Sequence, residues 1–157
     1  MLPPDDRLTK QSGLKDAVEP VPTTHEVVRD ALAAYASRDL EGFFAPIADD
    51  VVYTLYLDED VVPFAGEAHG KLELRARIEA MHAVFEYVLW RPLHVRTIGE
   101  TATNQIEFIL KHRATGESVS GRCRFVTQVV NGKVVRIQEH HDAERVQAFM
   151  RLIGGVE

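Results

Sequence analysis

The chain has 157 residues, of which 45% are hydrophobic and 27% are charged. This balance is typical of one globular domain and excludes a disordered or fibrous protein. Eighteen basic against 24 acidic residues leave a net charge of −6, so a nucleic-acid partner is not expected, because phosphates repel an acidic surface. No run approaches the ~20 apolar residues of a membrane span, and a membrane partner is not expected either.

The N-terminal region and the single cysteine bear on domain organisation and location. Residues 1–22 contain four of the seven prolines and no apolar period, so we predict a tail or arm before a domain at 23–153. The first 13 residues have acidic residues and prolines where a secretion signal needs an apolar core, so we do not expect them to be a secretion signal. Cys123, the only cysteine, cannot form an internal disulfide, and we expect a cytoplasmic location.

Helical periodicity characterises the first part of this domain. Thr23 and Glu26 fit a capping box, which predicts a helix over about 25–37. Asp39 is a suitable N-cap for a short second helix, which we expect to end at Asp49-Asp50.

A strand, a loop and a third helix are predicted next. β-branched and aromatic residues favour a strand over 51–57. Turn residues favour a loop over 58–70 that contains a short strand. An apolar stripe then favours a helix over 71–86.

Alternation with a period of two characterises the second half of the chain. The predicted strands are 87–98, 101–112, 118–130 and 133–142, followed by a helix over 143–152. Connections this short require antiparallel neighbours. Helices followed by an antiparallel meander make an α+β domain, in which a sheet curled over the helices leaves a pocket between the two layers.

The strand register decides which polar side chains share that pocket. A hairpin centred on Thr115 would place Glu107 opposite Cys123 and Gln105 opposite Phe125. Even-numbered positions of the same strand are more apolar, so the alternative that Glu107 is simply solvated stays open.

The turn at Asn131-Gly132 has two possible forms. A two-residue turn pairs Val130 with Lys133, whereas a three-residue turn with a bulge pairs Val129 with Lys133, and we favour the second because glycine is third. Glu139 would then also lie opposite Cys123.

In the favoured register Glu107 and Glu139 lie about 10 Å apart on one face, two strand spacings from each other. Two carboxylates in an apolar environment have their proton affinities pushed apart, as acid/base catalysis requires. The other register separates the two carboxylates. Glu139 continues an otherwise apolar line through Val135 and Ile137, so it is either ion-paired or functional.

Other candidates are weaker. His141 shares the Glu139 face, either as a proton carrier or as a hydrogen-bonded strand-end residue. His69 lies in the loop expected at the pocket mouth. Phe64, Phe85, Leu89 and Trp90 are expected in the core or the pocket wall. No histidine spacing matches a known metal motif and no glycine pattern matches a nucleotide loop, so no metal or cofactor is expected.

Three strings carry a resemblance to a known family: AYASRDLEGFFAPIADDVVY (34–53), PFAGEAHGKLEL (63–74) and VVNGKVVRIQEHHD (129–142). With the order of elements, they resemble the nuclear-transport-factor-2-like superfamily, in particular its SnoaL-like polyketide cyclase and limonene epoxide hydrolase branch. The resemblance implies a cystatin-like α+β cone, with a curved, mostly antiparallel sheet wrapped over N-terminal helices and enclosing a pocket. It also implies a homodimer through the outer face of the sheet.

The resemblance also implies site residues. The places of the ketosteroid isomerase base and acid hold Leu55 and Phe125. Neither side chain can transfer a proton, so isomerase activity of the ketosteroid isomerase type is not expected. Of the epoxide hydrolase residues, the tyrosine matches Tyr53, the asparagine place holds Leu55 and the last-strand aspartate matches Glu139. The Arg-x-Asp place reads Gln105-Ile106-Glu107. In SnoaL-like cyclases the acid/base is an acidic residue of the last strand, for which Glu139 is the nearest candidate.

Two functions from different classes are therefore predicted. The first is a small cofactor-independent enzyme with acid/base chemistry on an apolar, oxygenated small molecule, of cyclase, isomerase or hydrolase type. Its catalytic candidates are Glu139, Glu107, Tyr53, Gln105 and His141, and its ligand-binding candidates are Leu55, Phe64, His69, Phe85, Leu89, Phe125 and Ile137. The second is a non-catalytic module of the same fold that binds a small molecule or a partner protein.

Overall fold

A computed structural model describes residues 20–154. In this part of the chain the helices are α1 (Thr24–Ala36), α2 (Leu40–Phe44), α3 (Lys71–Val84) and α4 (Ala143–Gly154). The strands are β1 (Ile47–Tyr56), β2 (Gly66–His69), β3 (Phe85–Pro92), β4 (Arg96–Ile98), β5 (Thr101–His112), β6 (Ser118–Val130) and β7 (Lys133–His140). The tail predicted for 1–22 lies, up to residue 19, outside the described residues and stays a prediction.

The strands form one curved sheet in the order β2-β1-β7-β6-β5-β3, with β4 also paired to β5. β1 and β7 pair in parallel, and all other neighbours are antiparallel. α1 packs across β3 to β7, and α3 packs on β1, β2 and β3. This mixed, mostly antiparallel sheet curled over helices confirms the predicted α+β fold. No helix among the described residues is long and apolar enough to cross a membrane.

Local capping predictions agree with the structure at both early helices. Thr23 and Glu26 form the capping box of α1, and the Asp39 carboxylate accepts from the Gly42 amide at the start of α2. The start of β1 differs from the prediction by four residues. β1 begins at Ile47, so Asp49-Asp50 lie inside the strand, because Ile47 is buried and pairs with Val134 of β7.

The predicted strand over 87–98 is divided into β3 and β4. Pro92, the last residue of β3, has no N–H group to continue the ladder. The Leu93 N–H still donates to the Gln105 oxygen of β5 at 2.8 Å, but residues 93–95 lie outside the strands, and regular pairing with β5 resumes at Arg96.

The predicted register between β5 and β6 was wrong by one residue. Ile106, not Glu107, lies opposite Cys123, while Glu107 pairs with Arg122 and Gln105 with Arg124. A one-residue shift moves every side chain to the other face of the sheet. The even-numbered residues of β5 from 102 to 110 are buried against the core, and the odd-numbered ones face outward.

The predicted turn between β6 and β7 was also wrong, but the predicted face of Glu139 was right. Val130 pairs with Lys133 across a two-residue turn, with positive φ at both Asn131 and Gly132. Such a turn alone would point Glu139 outward. A bulge at Val135 adds one residue to β7 and restores the face, so Glu139 lies opposite Phe125.

Candidate active site

The concave face of the sheet and three helices enclose a small cavity, here called the inner cavity. Its volume is about 70 Å³. The wall comprises Tyr35, Phe43, Tyr53, Leu55, Phe64, Leu74, Arg77, Ile78, Met81, Tyr87, Trp90, Phe125, Ile137 and Glu139. Only two of these side chains, Arg77 and Glu139, carry a formal charge, so polar chemistry in the cavity is concentrated at few points.

Glu139 is the acidic group of the inner cavity. It is 8% exposed, and both oxygens of its carboxyl group have a partner. The Tyr53 hydroxyl donates to Oε1 at 2.5 Å, and Nε2 of His141 lies 2.5 Å from Oε2. β1 and β7 run side by side in parallel, which brings Tyr53 to Glu139, and His141 follows two residues later on the same face.

The surroundings of Glu139 keep the neighbouring phenols protonated. Burial, with the Glu139 charge as the next cause, raises the pKa of Tyr53 well above its ordinary value. The same two causes raise the pKa of Tyr35 and of Tyr87. Three neutral hydroxyl groups therefore line the cavity near one carboxyl group. The Tyr53 hydroxyl already donates to Glu139 and the Tyr35 hydroxyl lies 2.7 Å from Nε2 of His82, whereas the Tyr87 hydroxyl can donate a hydrogen bond to a substrate oxygen.

Cys123 completes a cluster beside this carboxyl group. Donor atoms of Cys123, Glu139 and His141 all lie within 4.8 Å of one another, so these residues have the chemistry of metal ligands. Burial, followed by the Glu139 charge, raises the pKa of the Cys123 thiol, and both Glu139 oxygens already accept hydrogen bonds. The observed arrangement is therefore a hydrogen-bonded pair with a neutral thiol next to it.

The structure brings some predicted site residues together and separates others. Tyr53 and Glu139 share the inner cavity with the predicted wall residues Leu55, Phe64, Phe125 and Ile137. Gln105 and Glu107 lie on the convex face, where Glu107 forms ion pairs with Arg91 and Arg122. The predicted pairing of the Glu107 and Glu139 carboxylates in one pocket was wrong, because β5 pairs with β6 one residue out of the expected register.

Three predicted ligand-binding residues do not line the inner cavity. His69 is exposed at the edge strand β2, 3.4 Å from Glu67. Leu89 borders a separate groove along β3, to which α1 and α3 contribute Tyr35 and His82. Phe85 is buried and borders both that groove and a second one described next.

A larger, open groove lies between α3 and α4 and is here called the outer groove. Its volume is about 740 Å³. It shares Phe64, Arg77 and Met81 with the inner cavity, and this common border of the two spaces is here called the neck. Other lining residues are Val61, Pro63, Glu73, Ala76, Ala80, Val84, Phe85, His112, Met150, Ile153 and Gly154.

Several cavity residues were not anticipated from the sequence. Tyr35 and Tyr87 contribute aromatic faces and hydroxyl groups, and Arg77 contributes the only cation of the inner wall. Periodicity places Arg77 on α3, but no local pattern indicates that its side chain bends back toward the segment after β1. Asn104 is buried on the concave face, with Oδ1 lacking a partner among the described residues.

Comparisons with known proteins agree with this architecture. A family model described as the SnoaL-like domain matches residues 28–137. An NTF2-like protein from Burkholderia thailandensis aligns with a TM-score of 0.74 at 23% identity, covering 82% of this chain and 98% of that one. The comparison with curated proteins finds no match.

Two further solved structures have names that mention an activity. A candidate SnoaL-like polyketide cyclase from Mesorhizobium loti aligns with a TM-score of 0.67 at 22% identity, covering 76% of this chain and all of that one. A candidate isomerase from Rhodopseudomonas palustris aligns with a TM-score of 0.65 at 22% identity, covering 78% of this chain and 92% of that one. At these identities the likeness establishes the fold alone.

Proposed function

Since the chain belongs to the SnoaL-like family, we propose that it is a small enzyme in which Glu139 acts as general acid/base on an apolar, oxygenated molecule. The observation that carries the proposal is the buried Glu139 carboxyl group in an apolar cavity, with the Tyr53 hydroxyl on one oxygen and His141 on the other. A carboxyl group desolvated in this way is a typical proton carrier of active sites.

The geometry supports cyclase or isomerase chemistry better than hydrolysis. Proton abstraction next to a carbonyl group needs a base and a hydrogen-bond donor for the developing oxyanion, and Glu139 and the Tyr87 phenol can supply these. Hydrolysis of the epoxide type needs further groups to hold a water. Leu55 and the outward Gln105 and Glu107 do not supply those groups.

A second candidate function is a non-catalytic module that binds a small molecule. It is favoured by one observation, namely that both Glu139 oxygens are already engaged by side chains of the protein itself. In that case the carboxyl group would be a structural element of the cavity wall. In either case we propose a homodimer through the convex face of the sheet, and the cytoplasmic location stays a prediction.

Replacement of Glu139 distinguishes the two functions. Turnover of a panel of apolar ketones and 1,3-dicarbonyl compounds should fall by ~10²–10⁴-fold in Glu139→Gln, the usual contribution of a general acid/base. Glu107→Gln is the matched control, because Glu107 lies on the convex face and should leave turnover unchanged. Full turnover by Glu139→Gln would contradict the role of Glu139, whereas binding without turnover by the unmodified chain would favour the binding module.

A further inference from the structure

We propose that the site takes an apolar molecule that carries an anionic oxygen, a carboxylate or an enolate, and that Arg77 anchors this oxygen at the neck between the inner cavity and the outer groove. The proposal rests on the proposed function, because the inner end of such a molecule would reach toward Glu139. It assigns a binding role to a residue outside the Glu139 cluster.

The volumes of the two spaces show how such a molecule would be divided. The inner cavity measures about 70 Å³, whereas an engineered cavity that binds benzene measures roughly 150 Å³. The inner cavity therefore admits a small head group only. The outer groove measures about 740 Å³ and borders the inner cavity at Phe64, Arg77 and Met81, so we place the body of the ligand there.

The lining of the outer groove indicates the character of that body. Apart from Arg77, its only ionisable side chains are Glu73 and His112. Glu73 is an exposed residue in the first turn of α3, and most of the remaining lining is aliphatic or aromatic. An apolar chain or ring system would gain by leaving water for this groove.

The Arg77 side chain is held rigidly at the neck. Its Nη1 donates to the backbone oxygens of Phe64, Ala65 and Gly66 at 3.3, 3.4 and 3.0 Å, and its Nη2 donates to the Glu67 backbone oxygen at 2.8 Å. Four carbonyl groups thus fix the guanidinium plane. A ligand would meet a preorganised donor, which reduces the entropy lost on binding.

These carbonyl groups orient the Arg77 charge without neutralising it. Within residues 20–154 no carboxylate oxygen lies within 4.0 Å of its guanidinium nitrogens, and its Nε–H group makes no hydrogen bond. A half-buried cation without a counter-ion favours an anionic ligand, and the planar guanidinium group is well suited to carboxylate or enolate oxygens. Because Glu139 lines the same inner cavity as Arg77, the inner end of the anchored molecule would lie beside the Glu139 carboxyl group.

The test compares an acid with its neutral analogue, using 6-phenylhexanoate and 6-phenylhexanamide as probes. Binding is measured by titration calorimetry and by the fluorescence of Trp90, the only tryptophan, which lines the inner cavity. The full chain should bind the acid roughly 10- to 100-fold more tightly than the amide, as expected for a charge-assisted hydrogen bond. Arg77→Met should abolish this preference, and Arg77→Lys should keep part of it.

A purely structural role for Arg77 predicts a different result. If Arg77 only holds the backbone of 64–67, Arg77→Met should weaken binding of acid and amide equally, and that outcome would overturn the proposal. If the Met variant does not fold, the comparison uses Arg77→Lys and Arg77→Gln, with thermal unfolding to verify the fold. An unchanged acid preference in Arg77→Gln would overturn it as well.

A second pair of variants tests the outer groove. Ala80→Phe fills the groove and should weaken binding of both probes, whereas Ala83→Phe, exposed on the same helix and outside the groove lining, should not. Equal binding by both variants would show that the groove is not used. Glu139→Gln should keep or tighten binding of the acid because it removes a nearby negative charge, so failure of the catalytic role and failure of the anchor give different results.

Discussion

The Tyr53 hydroxyl lies 2.5 Å from Oε1 of Glu139, and the two residues come from strands that are neighbours in parallel, β1 and β7. A buried carboxylate is stable only if its lost water contacts are replaced by hydrogen bonds. Tyr53 therefore has a role in stability as well as in the proposed chemistry.

Removing that hydroxyl should destabilise the protein. We expect Tyr53→Phe to lower the free energy of unfolding by about 1–3 kcal/mol, the usual penalty for leaving a buried polar group without its partner. Urea denaturation measures this change. Tyr56→Phe is the control, because Tyr56 is 43% exposed. Removal of its hydroxyl group should lower the free energy of unfolding by less than about 0.5 kcal/mol. Equal effects of the two substitutions would contradict the stabilising role of the hydrogen bond between Tyr53 and Glu139.

His140 and His141 offer a matched pair on consecutive positions of one strand end. The His141 side chain is 9% exposed and contacts Glu139, whereas His140 stacks on Tyr56 with ring centroids 4.5 Å apart. We expect His141→Asn to cost about 1–3 kcal/mol in the free energy of unfolding, and His140→Asn less than about 1 kcal/mol. A larger effect of His140→Asn in the same urea titration would contradict the stabilising role of the contact between His141 and Glu139.

The order and bounds of most elements could be predicted from the sequence, because capping residues and periodicity act locally. Thr23 and Asp39 cap their helices as expected, and β5 and β6 have the predicted bounds. The pairing register of β5 with β6, which decides the face of Glu107, was predicted wrongly for a different reason. Registers depend on how a whole face packs, and the apolar even-numbered positions of β5 outweighed the turn geometry that favoured burying Glu107.

The candidate site shows the same limit. Glu139 could be predicted, since a carboxyl group on an apolar strand line is informative in itself. The bulge at Val135 that turns it inward has no signal in the sequence, and the inward face was predicted through an incorrect turn. Arg77 could not be predicted, because its position depends on backbone carbonyl groups of 64–67 that only the tertiary fold brings to α3.

The thiol of Cys123 should be unreactive in the folded protein. It is 4% exposed, and burial followed by the Glu139 charge raises its pKa, so little nucleophilic thiolate forms. Iodoacetamide should leave the native protein unmodified at neutral pH and alkylate one site in urea, as measured by mass spectrometry. Rapid labelling without denaturant would show that the cavity wall opens readily near Glu139.

His82 should make stability depend on pH on the acid side of neutrality. Its ring nitrogen Nε2 lies 2.7 Å from the Tyr35 hydroxyl, and burial, with the charges of Arg113 and Arg38 as further causes, lowers the pKa of this histidine.

Because the folded state binds the His82 proton less readily than the unfolded chain, the free energy of unfolding should rise with pH in the range that this histidine controls. The contribution is fully present above the unfolded pKa of about 6.5 and is lost as pH falls through the lower folded value. As the pH is lowered from about 7 to about 5, the thermal unfolding temperature should therefore fall more steeply for the unmodified chain than for His82→Gln. The comparison uses slopes, because the substitution also alters the contact with Tyr35 and shifts both curves as a whole. Parallel slopes would show that the proton affinity of His82 is the same in both states.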